Sequence, residues 1–136
     1  MGILPKKTKF RKSQRGRMKG TAATGTDVSF GEYGLQTLER CWLKTNQIEA
    51  ARRALAHYIK RGGKIWIRVC CDKPISARPA ETRMGGGKGE PAFFAAAVRP
   101  GHVLFELAGI TREQAKEAMR LASSKLPVKT RFVEKM

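Results

Sequence analysis

The spacing of apolar positions changes repeatedly along the chain, and each change marks an element. Ile48, Ala51, Ala54, Leu55, Tyr58 and Ile59 recur at helical spacing and share one face. Arg52, Arg53, His57, Lys60 and Arg61 fall on the other face, with Glu49 its only acid. Thr45 or Asn46 suits the N-cap, Asn46 and Glu49 have capping-box spacing, and Gly62-Gly63 is the expected left-handed stop. Strict alternation follows: Ile65, Ile67 and Val69 on a face predicted to pack on the helix, Trp66, Arg68 and Cys70 on the other. Trp66 reads as a covering aromatic rather than a base-stacking platform. Upstream, residues 28–35 read as a strand interrupted by glycines and continuing through 36–43. Downstream, strands at 92–99 and 102–107 flank Arg99-Pro100-Gly101, which has the residues of a hairpin turn. A second helix begins at Thr111, whose spacing to Gln114 makes a capping box. Its stripe is Ala115, Ala118, Met119, Ala122 and Leu126, and Leu126-Pro127 ends it. Residues 128–133 alternate as a closing strand with Lys129 and Arg131 on the polar side. This order predicts an α+β fold, a mostly antiparallel sheet with two helices packed on one face.

Two stretches fall outside any period. Residues 5–19 hold eight cations (Lys6, Lys7, Lys9, Arg11, Lys12, Arg15, Arg17 and Lys19), no acid, and Phe10 as the one aromatic. Such a run is disordered when free and orders on phosphates, with Phe10 docking apolar surface. Asp72-Lys73-Pro74 turns the chain into the second stretch, residues 73–91, a 19-residue connection containing three prolines and Arg83-Met84-Gly85-Gly86-Gly87-Lys88-Gly89. A connection this long is commonly functional, and doubled back it reaches at most roughly 30 Å. Glycines bury almost nothing and cost backbone entropy, so the run makes sense where backbone approaches a partner closely. Arg83 and Lys88 make that partner an anion. The expected organisation is a basic arm at 1–20 and one domain at 21–136 with an extended loop at 73–91.

Charge decides the class of partner. A formal net charge of +17 on 136 residues calls for a polyanion to screen it. There is no long apolar run, no lipidation signal and no apolar core of leader length after Met1, so nucleic acid is favoured over a membrane. The candidate RNA-binding residues are the eight arm cations with Arg52, Arg53, Lys60 and Arg61; the loop Arg83–Gly89 is the aimed element. Cys41, Cys70 and Cys71 are odd in number and contain no C-x-x-C, as expected of thiols in a reducing compartment. Neither His57 nor His102 has finger-like spacing to them, so no metal or other cofactor is expected. Lys88 precedes Gly89 rather than Ser or Thr, and a strand follows, which is not a nucleotide-cradling loop. Acids stand singly and the histidines lack triad partners, so no catalytic residue is assigned and an enzyme is disfavoured. The first helix lacks the Asn/Gln pattern that reads adenine, against a DNA reader. The alternative to an RNA-binding scaffold is an RNA-binding protein of another kind or an RNA-modifying protein.

Several segments carry a resemblance when taken together. They are Pro5-Lys-Lys-Thr-Lys-Phe-Arg-Lys12, Gly25-Thr-Asp-Val-Ser-Phe-Gly31, Gln47-Ile-Glu-Ala-Ala-Arg-Arg-Ala54, Gly63-Lys-Ile-Trp-Ile-Arg-Val69, Asp72-Lys-Pro-Ile75, Arg83–Gly89 and Lys125-Leu-Pro-Val-Lys-Thr130. Over nearly its whole length the chain resembles the universal L-sixteen family of bacterial-type large-subunit ribosomal proteins. The resemblance implies a non-enzymatic component that binds large-subunit ribosomal RNA near the base of the central protuberance and joins late in assembly. It implies a loop reaching towards tRNA in the aminoacyl site, and towards the peptidyl site, near the peptidyl-transferase centre. Neighbouring large-subunit proteins would be partners, with no homo-oligomer and no membrane, on a bacterial cytoplasmic or an organellar ribosome. Some members carry a hydroxylated arginine at the position of Arg83. Three departures stand out: Gly86 where the family's R-M-G-K-G-K-G has Lys, Lys44 where a capping Thr is usual, and Cys70-Cys71 where an aromatic and a proline are common.

Overall fold

The computed structural model describes residues 4–60 and 62–136. Seven strands and two helices follow one another: β1 (Tyr33–Thr37), β2 (Cys41–Lys44), α1 (Thr45–Ile59), β3 (Lys64–Ile67), β4 (Lys73–Ala77), β5 (Glu90–Val98), β6 (Val103–Ala108), α2 (Arg112–Ser123) and β7 (Thr130–Glu134). The α+β class is as expected, but the strands divide between two sheets. A four-stranded sheet runs β3-β6-β1-β7 and a three-stranded sheet β2-β5-β4, all antiparallel.

Two turns make that division. The strand expected to run on through residue 43 breaks at residues 38–40, where the Thr37 hydroxyl donates to the Glu39 carbonyl at 2.8 Å and accepts its N–H at 3.3 Å. β1 therefore stays in the first sheet and β2 leaves for the second. Arg99-Pro100-Gly101 does turn the chain, with Gly101 at φ +99° and His102 N–H on the Arg99 carbonyl at 3.2 Å. It does not close a hairpin, because β5 pairs with β2 and β4 while β6 pairs with β1 and β3. Residues 73–77, expected to lie in an irregular connection, form β4. Pro74 is tolerated because β4 is an edge strand and needs no outward N–H.

Both helices pack on the core side of the sheets, α1 against β2, β3 and β5, α2 against β1 and β7. The core joins Leu43, Ile48, Leu55, Ala96, Val98, Phe105, Leu107, Ala118 and Met119. Thr111 caps α2 as its sequence predicts, its side chain accepting from Gln114 N–H. α1 departs from expectation at both ends. Lys44 is the N-cap, with its own N–H on Gln47 Oε1 at 3.0 Å, while Glu49 binds arginines instead of closing a box with Asn46. The left-handed stop is Lys60 at φ 50°, before the glycines.

Strand β6 is buried from Val103 to Leu107, and Glu106 sits in it with no solvent exposure. Its Oε1 accepts the N–H groups of Ser29, Phe30 and Gly31 at 2.9, 2.8 and 2.9 Å, and its Oε2 is paired with Arg68. Residues 28–31 are thus wrapped over a carboxylate rather than forming the expected strand. Gly31 is required here because a Cβ would meet the Leu107 carbonyl oxygen at 2.6 Å. Phe30 stacks on Trp66 at 6.4 Å between centroids, and Arg68 lies 5.0 Å over the Phe30 ring, so Trp66 is a covering aromatic.

Burial pushes the Glu106 carboxyl up, but the bonds from Gly31, Arg68 and Phe30 outweigh it and hold it below the usual carboxylate range. A depressed carboxylate contributes stability that is complete above its unfolded value of about 4.3 and is lost as pH falls through the folded value. Glu106→Gln should cost about 3–5 kcal/mol, as for one partner removed from a buried pair. It should also flatten the acid limb of stability against pH below about 4.3, measured by urea unfolding. An acid limb as steep as in the unmodified protein would place the pH-sensitive group elsewhere.

Candidate nucleic-acid interface

Residues paired across an antiparallel ladder share a face. Leu43 and Ala96 therefore point to the core, and Trp42, Lys44, Lys73, Ile75, Phe93 and Ala95 to the outer face of the three-stranded sheet. The basic arm lies along that outer face. Lys73 Nζ donates to the carbonyls of Gln14 and Arg15 at 3.0 and 2.6 Å, and Arg40 to that of Met18 at 2.8 Å. Lys88 Nζ donates to the Ser13 carbonyl, and Lys12 Nζ returns a bond to the Lys88 carbonyl at 3.0 Å. The stretch expected to be disordered when free is docked by its backbone, because cations of the sheet and loop find acceptors on its peptide carbonyls.

The arm's own cations stay solvent-exposed, although Lys12 also bonds the loop and Arg15 lines a cavity against the sheet. Lys6, Lys7, Lys9, Arg11, Lys12, Arg15, Arg17 and Lys19 are all exposed. Phe10 is 69% exposed, with Lys9 Nζ 5.5 Å from its ring.

The irregular part of the loop is residues 78–89, carried between the paired strands β4 and β5. Arg83, Met84 and Lys88 are exposed, Met84 fully so. Gly85, Gly86 and Gly87 have φ of +91°, +81° and +97°, conformations that side chains rarely adopt. Gly89 is tight at the base, where a Cβ would meet the Ala77 carbonyl oxygen at 2.9 Å. Arg78 organises this backbone. Its guanidinium donates to the carbonyls of Arg83 at 3.3 Å and Gly85 at 2.5 Å, and to that of Gly87. Sequence reading passed over Arg78, although an arginine before Pro79 at the mouth of a glycine run is the available signal. Among the described residues no protein acceptor meets the Arg83 guanidinium, whereas Lys88 is turned back onto the arm.

On α1, Arg52 and Arg53 both bind Glu49, at (i, i+3) and (i, i+4), with Arg52 side chain only 25% exposed against 75% for Arg53. Hydrogen bonding to Glu49 raises the Arg52 guanidinium and lowers the Glu49 carboxyl. One acid thus offsets part of this face. Lys60 is exposed at the end of α1, and Arg61 lies outside the described residues.

Burial shifts two thiols and one imidazole away from their ordinary ranges. Burial pushes the Cys41 and Cys71 thiols up to about 11, and Cys71 Sγ lies 3.6 Å from the Leu43 carbonyl. Both are protonated near neutrality and poor nucleophiles. Burial likewise lowers His102, half-buried with Nε2 3.5 Å from the Arg68 carbonyl. Among the described residues no group of three or more His, Cys, Asp or Glu side chains could hold a metal ion. Among the described residues no helix is long and apolar enough to cross a membrane.

Comparison with known proteins follows the same line. The model of the family "Ribosomal protein L16p/L10e" matches residues 5–133, from the arm to the closing strand. The chain belongs to that family. It is 61% identical over 133 residues to large ribosomal subunit protein uL16c of Gracilaria tenuistipitata, covering 98% of each chain. It is 63% identical over 131 residues to uL16 of Trichodesmium erythraeum, covering 96% of each, and 59% identical over 133 residues to uL16 of Heliobacterium modesticaldum, covering 98% of this chain and 92% of that one. Membership makes this a structural ribosomal protein and not an enzyme.

Within the family the departures gain a physical reading. Gly86 sits at φ +81°, where a lysine as in the resembled pattern would be strained. Lys44 gives up a side-chain cap, and its ammonium lies 4.9 Å over the Phe93 ring instead. Nothing in the structure explains Cys70-Cys71.

Arg78→Ala removes the bonds that tie three loop carbonyls together without touching the core. Global stability should change by under about 0.5 kcal/mol, as for surface sites. Amide hydrogen exchange over residues 83–88 should rise, with β4 and β5 protected as before. Unchanged exchange in the loop would mean that Arg78 does not order it.

Proposed function

We propose that this chain is a structural constituent of the large ribosomal subunit. It holds large-subunit ribosomal RNA with the arm and the polar face of α1, and aims the loop Arg83–Gly89 towards tRNA in the aminoacyl site. Neighbouring large-subunit proteins are its other partners. A bacterial or an organellar ribosome accommodates it equally, since relatives of both the uL16 and uL16c names match it closely. The observation that carries the reading is the loop. A guanidinium with no acceptor among the described residues stands beside a fully exposed methionine on backbone that favours glycine, stapled from within by Arg78. That arrangement suits close approach to RNA, where Arg83 can present a planar fork to phosphate or base edges. The arm suits the anchoring role, with eight cations and no acid between residues 5 and 19.

The division of labour between anchor and aimed loop is testable. Deleting residues 1–20 should weaken binding to large-subunit RNA and reduce its salt dependence, each lost phosphate contact lowering the log–log slope by roughly 0.7–0.9. A slope that stays the same would make the arm a passive tail. Arg83→Ala should leave occupancy of the protein in purified large subunits unchanged while impairing tRNA binding to the aminoacyl site. If occupancy falls instead, the loop is an anchor and not an aimed element.

A further inference from the structure

Between the arm and the outer face of the three-stranded sheet lies a cavity of about 110 Å³, lined by Ser13, Arg15, Trp42, Lys73, Ser76 and Lys88 among others. Among the described residues three side-chain polar atoms are buried with no hydrogen-bond partner: Ser13 Oγ, Trp42 Nε1 and Ser76 Oγ. All three belong to residues lining this cavity. Buried polar groups are normally satisfied, and each one left unpaired keeps its desolvation cost uncompensated. Their clustering at one place points to a missing partner.

The chemistry of that partner follows from the donors. An indole N–H can only donate, and the two hydroxyls can donate as well. Arg15, Lys73 and Lys88 supply positive charge, and no carboxylate lines the cavity. A cation is excluded by charge and an apolar group by the unpaired atoms. An ammonium has three N–H donors. Lys73 gives two of them to arm carbonyls and Lys88 one, so both keep donors in reserve. Lys73 is also held 5.0 Å over the Trp42 ring, which fixes its ammonium beside the indole.

We propose that this cavity is a phosphate-oxyanion site, in which Lys73, Lys88 and Arg15 supply charge and Trp42, Ser13 and Ser76 complete the oxygens. The inference rests on the RNA-binding reading above for its natural occupant, a backbone phosphodiester. Free inorganic phosphate presents the same oxygens. Entry requires the arm to shift, since the three atoms are covered in the docked state. The contacts holding the arm beside the cavity are ammonium–carbonyl bonds, for which phosphate oxygens compete directly. Occupancy would therefore join the arm, the sheet and the base of the glycine loop around one anion.

The test follows the indole N–H signal of Trp42 in the full-length protein by NMR, assigned by comparison with Trp66→Phe. Inorganic phosphate and a short oligoribonucleotide are titrated separately, each against sodium chloride at matched ionic strength. A saturable shift with both, at lower concentration for the oligonucleotide, is the expected result. Lys73→Gln should weaken phosphate binding on the order of tenfold, and Ser76→Ala should weaken it less, both with unaltered circular dichroism. A shift with phosphate alone keeps the site but overturns the RNA backbone as occupant. No shift beyond that of chloride in either titration overturns the site and leaves ordered water as the cavity's content. Co-sedimentation of the same protein with large subunits reports on the broader reading independently, so failure of the site and failure of that reading are told apart.

Discussion

The first sheet depends on one buried charge. Glu106 occupies the middle of a strand that is otherwise apolar, and a carboxylate there is tolerable only if its oxygens are filled. Three successive backbone N–H groups and one guanidinium fill them, which recruits residues 29–31 and Arg68 to the same point. Those four residues come from the approach to β1 and the exit of β3, the strands that flank β6. The carboxylate therefore fixes where the chain enters the sheet and closes one face of it, while Phe30, Trp66 and Arg68 seal the surface above. The apolar side needs no such device, because Phe105, Leu107 and Leu35 meet the helices there.

The second sheet has a different character. Its outer face is covered by a segment that contributes almost no apolar side chain, and the contacts run from lysine and arginine to peptide carbonyls. Such contacts are strong enough to place a chain and weak enough to be exchanged for phosphate oxygens. The same sheet carries the glycine loop on its β4–β5 edge. Rigid scaffold and exchangeable interface are thus held by separate sheets, joined through β6–β5 connectivity and the shared core beneath α1.

Local chemistry was legible and non-local chemistry was not. Thr111 and Gln114 announced α2, and the alanines at 115, 118 and 122 its buried stripe, because caps and periods are properties of neighbours. The loop was legible because four glycines among five residues admit few other readings. β4 was missed because Pro74 argues against a central strand, and nothing local says that the strand lies at an edge. The hairpin at Pro100-Gly101 was a fair reading of the turn and a wrong reading of the sheets, since pairing partners are chosen elsewhere in the chain. Docking of the arm left no sequence trace because its acceptors are carbonyls, which every residue has. The lone acid in Val103-Leu-Phe-Glu-Leu107 was the one visible sign of the buried site, and it calls for a partner without naming one.

The position of β1 bears on how the protein comes to be folded. β1 lies between β6 and β7, and Leu35 faces Phe132, about 100 residues further along the chain. Loop closure over that span must precede the contacts that reward it. On a chain emerging at a few to some twenty residues per second, β1 waits several seconds for its second partner. The cationic arm, by contrast, is complete before any strand exists. Contact with polyanions is available to the nascent chain long before its central sheet can be finished.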